Sequence, residues 1–147
     1  MRTWSRALVF FLLTQPVFAV SEAELVAAVL MGEARGEGQR GLGCVAAVIA
    51  TRSARKGLTP LQIVTKKGWF SCLKGTTPEK LWHRYHGEPV FAQALAVSKK
   101  LHLAPEELPD VKGATHFTEK KERPYWAKGH RPVAVIGNHA FYKLEKY

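Results

Sequence analysis

Acidic residues are scarce in this chain. Of 147 residues, 12 are Asp or Glu against 22 Lys or Arg, and Asp110 is the one aspartate. The formal charge of +10 favours polyanionic partners: nucleic acid, an anionic envelope polymer or a membrane surface. The lysines are scattered, with pairs at Lys66-Lys67, Lys99-Lys100 and Lys120-Lys121 on different segments, so a solvated basic surface stays open as the plain alternative. Cysteine is scarce too. Cys44 and Cys72 could pair in an oxidising compartment, or Cys44 could simply pack within its apolar run. No base lies near Cys44, which argues against a thiol nucleophile. There is no His-Glu-x-x-His spacing and no cysteine cluster, so no common zinc site is offered. A Gly-x-Ser-x-Gly elbow and a phosphate-binding loop are also missing, as are internal repeats and low-complexity tracts. No metal and no cofactor are called for.

Hydrophobic residues make up 46% of the chain, which is a globular composition. The first residues stand apart. Arg2 and Arg6 precede the apolar block Ala7-Leu-Val-Phe-Phe-Leu-Leu13, and Val17-Phe-Ala19 supplies small residues at a cleavage site. The block is too short to span a bilayer, and the pattern is that of a secretory signal. Residues 1–19 are therefore read as a signal and residues 20–147 as a single domain, exported to the periplasm, the cell wall or the medium. No other segment is a transmembrane candidate. Losing Arg2 and Arg6 leaves +8, and export turns the expected partner away from nucleic acid towards envelope polymers.

Helices dominate the first two thirds. Ser21 with Glu24 forms a capping-box pattern before an almost wholly apolar run that reaches Ala34, where Gly36 and Gly38 break it. A helix apolar on every side is a buried helix. Residues 41–50 read as a second buried helix whose glycines and alanines allow close approach to the first. It ends in basic residues up to Lys56 and is closed by Gly57. Thr59-Pro60 and Thr77-Pro78 each announce a further helix, with threonine as cap and proline at the first position. Residues 89–102 carry a fifth, amphipathic one. After Pro105 the texture changes. Residues 114–118 are a strand candidate, and residues 132–143 read as a hairpin turning at Gly137-Asn138. The expected fold is α+β: helices first, then a small antiparallel sheet.

Glu33 is the exceptional acid. It shares a helical face with Val29 and Leu30 and sits at a helix C-terminus, where the macrodipole opposes negative charge. Both effects favour the protonated form, which a general acid needs. The alternative is a helix-end glutamate paired with Arg35 or another arginine. Glu37 lies four residues on, beyond Gly36. It reads either as a second acid or, preferably, as an anchor for loop backbone amides. His116 and His139 fall in the two sheet segments and could face each other. His83 and His86, three apart, are better read as a solvated helix face than as metal ligands. Trp69, Phe70, Tyr125, Trp126, Phe141 and Tyr142 lie outside the long helices, where such rings can stack on sugars.

These residues carry a resemblance. Gly32-Glu-Ala-Arg-Gly-Glu37, followed in order by Trp69-Phe-Ser-Cys72, Gly113-Ala-Thr-His-Phe117, Pro124-Tyr-Trp126 and Ile136-Gly-Asn-His-Ala-Phe-Tyr142, resembles the SleB/CwlJ-type cell wall hydrolases over about residues 22–142. The resemblance implies a lysozyme-like, mostly helical domain that cleaves peptidoglycan glycan strands between N-acetylmuramic acid and N-acetylglucosamine. It places the catalytic glutamate on Glu33 and groove positions on Phe70, Thr115, His116, Phe117, Trp126, His139 and Tyr142, with Glu37 beside them. The chain departs from the family pattern at Trp69, where glutamine is usual, and at Thr51, where asparagine is usual. Both bear on substrate detail rather than on Glu33. The expectation is a lytic transglycosylase or muramidase. Against it stand a metal-dependent amidase using His116 and His139 and a non-catalytic wall-binding protein.

Overall fold

The computed structural model describes residues 19–147. The signal assigned to residues 1–19 thus lies, apart from Ala19, outside the described residues. Helix α1 (Glu22–Ala34) opens the domain with the expected capping box. Ser21 Oγ accepts from the Glu24 N–H at 3.3 Å, and the Glu24 carboxylate accepts from the Ser21 N–H at 2.9 Å. Seven consecutive residues from Leu25 to Met31 are buried. Burial on every side requires neighbours on every side, and α1 is the hub of the helical layer.

Helix α2 (Gly38–Lys56) follows after a single 3-10 turn at Arg35–Glu37 and is closed by Gly57 in the left-handed region, φ 64°. It starts three residues before the stretch read from sequence. Its glycines also serve other neighbours than expected. A Cβ on Gly41 would strike the Glu37 side chain, and one on Gly43 would come within 2.9 Å of Pro109. Helix α3 (Pro60–Val64) has a Thr59/Gln62 capping box, α4 (Pro78–Tyr85) is capped by Thr77, and α5 is Phe91–Leu103. Together with α1 and α2 they enclose one core that includes Val26, Leu30, Leu42, Ile49, Ile63 and Leu81. Among the described residues no helix is long and apolar enough to cross a membrane.

The sheet has three antiparallel strands in the order β1 (His116–Glu119), β3 (His139–Tyr142), β2 (Ala134–Ile136). The hairpin turns at Gly137, φ 55°, and Asn138, as the sequence implied. The first strand begins two residues later than expected. Thr115 lies before it, its hydroxyl accepting from the distant Leu144 N–H and bonding the adjacent His116 ring, each at 2.9 Å. A smaller cluster of Cys44, Val48, Val111, Ala114 and Phe141 fastens this sheet to α2. The result is an α+β domain whose strand β1 is an edge strand facing the C-terminal end of α1.

Candidate active site

A groove of about 420 Å³ runs between the helical layer and β1. The last turn of α1 brings Glu33 to it, the last turns of α2 bring Arg52, the loop after α3 brings Trp69 and Ser71, and β1 brings His116 and Phe117. Trp126, His139 and Tyr147 complete the aromatic lining.

Glu33 is partly buried. Its Oε1 accepts from the Cys72 N–H at 3.1 Å. That bond depends on the residue before the acid, because a Cβ on Gly32 would lie 2.8 Å from Cys72 Cβ and 2.9 Å from its sulfur. Cys72 and Cys44 are separate thiols. Burial, with the Glu33 charge beside it, pushes the Cys72 thiol well above its ordinary range, so it is inert as a nucleophile.

Arg52 is 4% exposed. Its Nε donates to the Thr115 carbonyl at 2.6 Å. The guanidinium lies 4.9 Å from the Trp69 ring centroid and 5.4 Å from that of Phe70, within cation–π range. Burial lowers its pKa to about 10, against the pull of Tyr147 and Glu33, so it stays a cation at neutral pH. It therefore sets a positive charge beside the candidate acid.

The opposite wall is largely aromatic, with Glu119 and Glu122 also lining the groove. His116 is hydrogen-bonded to Thr115, tilted against Trp126 at 4.9 Å and edge-on to Tyr147 at 5.2 Å. Burial, helped by the Arg52 charge, lowers its pKa from 6.5 to about 4. Phe117 packs between Phe70 and His139 at 6.3 and 5.6 Å.

The two histidines do not face each other. His116 pairs with Tyr142 and His139 with Glu119, which sets them three ladder positions apart, about 10 Å along the strand. The odd separation also puts them on opposite faces of the sheet. Among the described residues no group of three or more His, Cys, Asp or Glu is placed to hold a metal ion.

Of the residues singled out from sequence, Glu33, His116, Phe117, Trp126 and His139 line the groove. Phe70 and Thr115 are buried behind it. Tyr142 is buried in the sheet, edge-on to Trp126 at 5.4 Å. Glu37 lies outside the groove, where its Oε2 accepts from the Asn138 N–H at 2.9 Å. It occupies the space that a Cβ on Gly137 would need and ties the turn after α1 to the hairpin. Sequence reasoning passed over Arg52, Tyr147, Glu119 and Glu122 as groove residues. Arg52 carried a readable signal, being the first charge to interrupt an apolar helix face. The two glutamates carried none, since they sit in a polar stretch. Glu122 accepts from Thr118 Oγ1 at 3.0 Å and Glu119 pairs with Lys121 at 3.2 Å.

The groove thus combines a partly buried carboxylate, a buried arginine and a ring-lined open wall on a mostly helical domain. The sequence comparison names the family. Residues 36–142 match the Cell Wall Hydrolase family model, and the chain belongs to that family. The match begins three residues after Glu33, so the candidate acid lies outside the matched stretch. No curated protein matches the chain in sequence. Two solved structures share its fold. The catalytic domain of the Bacillus cereus SleB protein superposes with a TM-score of 0.62 at 20% identity, covering 86% of this chain and 94% of that one. The catalytic domain of the germination-specific lytic transglycosylase SleB from Bacillus anthracis gives 0.65 at 17% identity, covering 88% and 99%.

Proposed function

We propose that the chain is an exported peptidoglycan glycosidase, acting as a lytic transglycosylase with Glu33 as acid and base. The observation that carries this reading is the placement of Glu33 in the groove, held by the Cys72 N–H and faced by Arg52. Protonated Glu33 donates to the glycosidic oxygen as the bond from the muramic C1 breaks. Charge develops on the sugar ring, and the carboxylate left behind is stabilised by the Arg52 cation. That carboxylate then takes the proton of the same sugar's 6-hydroxyl, whose oxygen closes on C1 to give a 1,6-anhydro ring. Glu33 ends protonated, ready for another cycle, and no water is consumed. The B. anthracis relative is described as a lytic transglycosylase, which supports this outcome.

Hydrolysis is the second reading, and a specific observation favours it. Glu119 and Glu122 line the same groove, so a second carboxylate is at hand to activate water. Their ties to Lys121 and Thr118 favour the one-acid route. Mass spectrometry of digested peptidoglycan decides between them. Anhydro-muramic ends are expected. Reducing muramic ends would move the assignment to a muramidase, and free stem peptides with intact glycan would overturn the glycosidase reading in favour of an amidase. Activity unchanged after chelation is also expected. The excess positive charge favours anionic wall material, so activity on whole walls falls with rising salt.

A further inference from the structure

A second groove, of about 760 Å³, lies on the other side of the segment that carries Trp126. Lys120, Arg123, Lys128 and His130 line it, and no carboxylate does. Among the described residues none of these three Lys and Arg side chains is in an ion pair. Arg123 is committed only to the backbone carbonyls of Lys120 and Glu122. Tyr125 stands 91% exposed and Val135 54% exposed at its rim. The two grooves are neighbours. Pro124 lines both, and Trp126 forms the ridge between them, with His116 on one side and Tyr142 on the other.

Unpaired cations around a groove with apolar ledges fit a short, acidic and partly apolar chain better than a neutral glycan. Peptidoglycan supplies such a chain next to its glycan, since its muramic residues bear peptides with free carboxylates. Resting on the glycosidase reading, we propose that this second groove receives the stem peptide of the glycan held in the first, its carboxylates on Lys120, Arg123 and Lys128 and its alkyl groups against Tyr125 and Val135. The peptide leaves the catalytic groove over Pro124. The enzyme then selects strands that still carry their peptides and acts poorly on stripped ones.

The test compares two substrates, intact peptidoglycan and the same glycan freed of peptides by an amidase, with the wild type and the double variant Arg123→Glu/Lys128→Glu. Both positions are exposed, and thermal unfolding checks that the fold is kept. The expected result is a KM about tenfold higher on the intact polymer, with kcat unchanged and no change on stripped glycan, in line with the loss of a few charge-assisted contacts. Equal effects on both substrates, or none on either, overturn the proposal. So does weaker binding to phosphatidylglycerol vesicles with an unchanged KM on intact polymer, which would make this a lipid-headgroup site. Calorimetric binding of a soluble muramoyl peptide reads the groove independently of catalysis. If the wild type cleaves no glycan yet binds that peptide and the variant does not, the glycosidase assignment fails while the peptide site stands.

Discussion

The two walls of the candidate groove are built on different principles. The helical wall holds charge. Glu33 and Arg52 come from α1 and α2, whose apolar runs Leu25–Met31 and Leu42–Ile49 are buried in the core, so the helices that carry them are anchored. The strand wall holds mostly rings, beside Glu119 and Glu122. His116, Phe117 and Trp126 belong to an edge strand and a short turn, and each is fixed mainly by other aromatic rings. A proton transfer needs its donor held to a fraction of an ångström, whereas stacking on a sugar tolerates small shifts. On the proposed mechanism the proton transfer would fall to the helical wall and most of the stacking contacts to the strand wall.

Substitution can break that contrast. Glu33→Gln should cost about 10³-fold in kcat, within the range for losing a general acid, while pelleting with peptidoglycan is retained. Glu37→Gln should leave kcat within about twofold, yet lower the unfolding free energy by about 1 kcal/mol for the weakened bond to Asn138. If the Glu33 variant cleaves normally, the helical wall is not where the chemistry lies. Arg52→Lys comes next. Lysine cannot reproduce the planar fork that reaches Thr115 and packs on Trp69. A buried carbonyl is left short of a donor, at about 2 kcal/mol in denaturant unfolding, and kcat should fall about tenfold with a smaller change in KM. Trp126→Ala, on the other wall, should show the reverse split: KM up several-fold and kcat little changed.

The smallest effect is a pH signature of the strand wall. His116 has a folded-state pKa of about 4 against 6.5 for a free imidazole. The unfolded chain therefore binds its proton first on acidification. Its contribution to stability is intact above pH 6.5 and is lost as the pH falls towards 4. Ring chemical shifts should report a neutral His116 at pH 5.5. A histidine titrating near 6.5 at that position would mean that the ring is not buried in the wall beside Arg52.

Much of the helical wall was legible in the sequence because its signals are local. Ser21 with Glu24, Thr59 with Pro60 and Thr77 with Pro78 announce helix starts within four residues. The apolar run up to Met31 announces burial, and Gly57 a stop. The strand wall was only partly legible. The hairpin turn at Gly137-Asn138 is local and came out as expected. The start of β1 did not, because Thr115 spends its side chain on Leu144, 29 residues away. The role of Arg52 depends on a carbonyl 63 residues distant, and the amide held by Glu37 is 101 residues distant. Pairing register, which put His116 and His139 on opposite faces, is likewise a property of two strands together.

Gly32 has a bearing on how this protein tolerates change. By intrinsic preference, alanine at an interior helix position gains about 1 kcal/mol over glycine, so a search for thermostable variants would choose this site early. Here the missing methyl is the clearance that lets the Cys72 loop seat on α1 and orient the acid. Gly32→Ala should push that loop outward, and any gain in helix stability would come with a loss of turnover. In directed evolution the position should accept no side chain while selection is for activity, and should drift once selection is for folding alone.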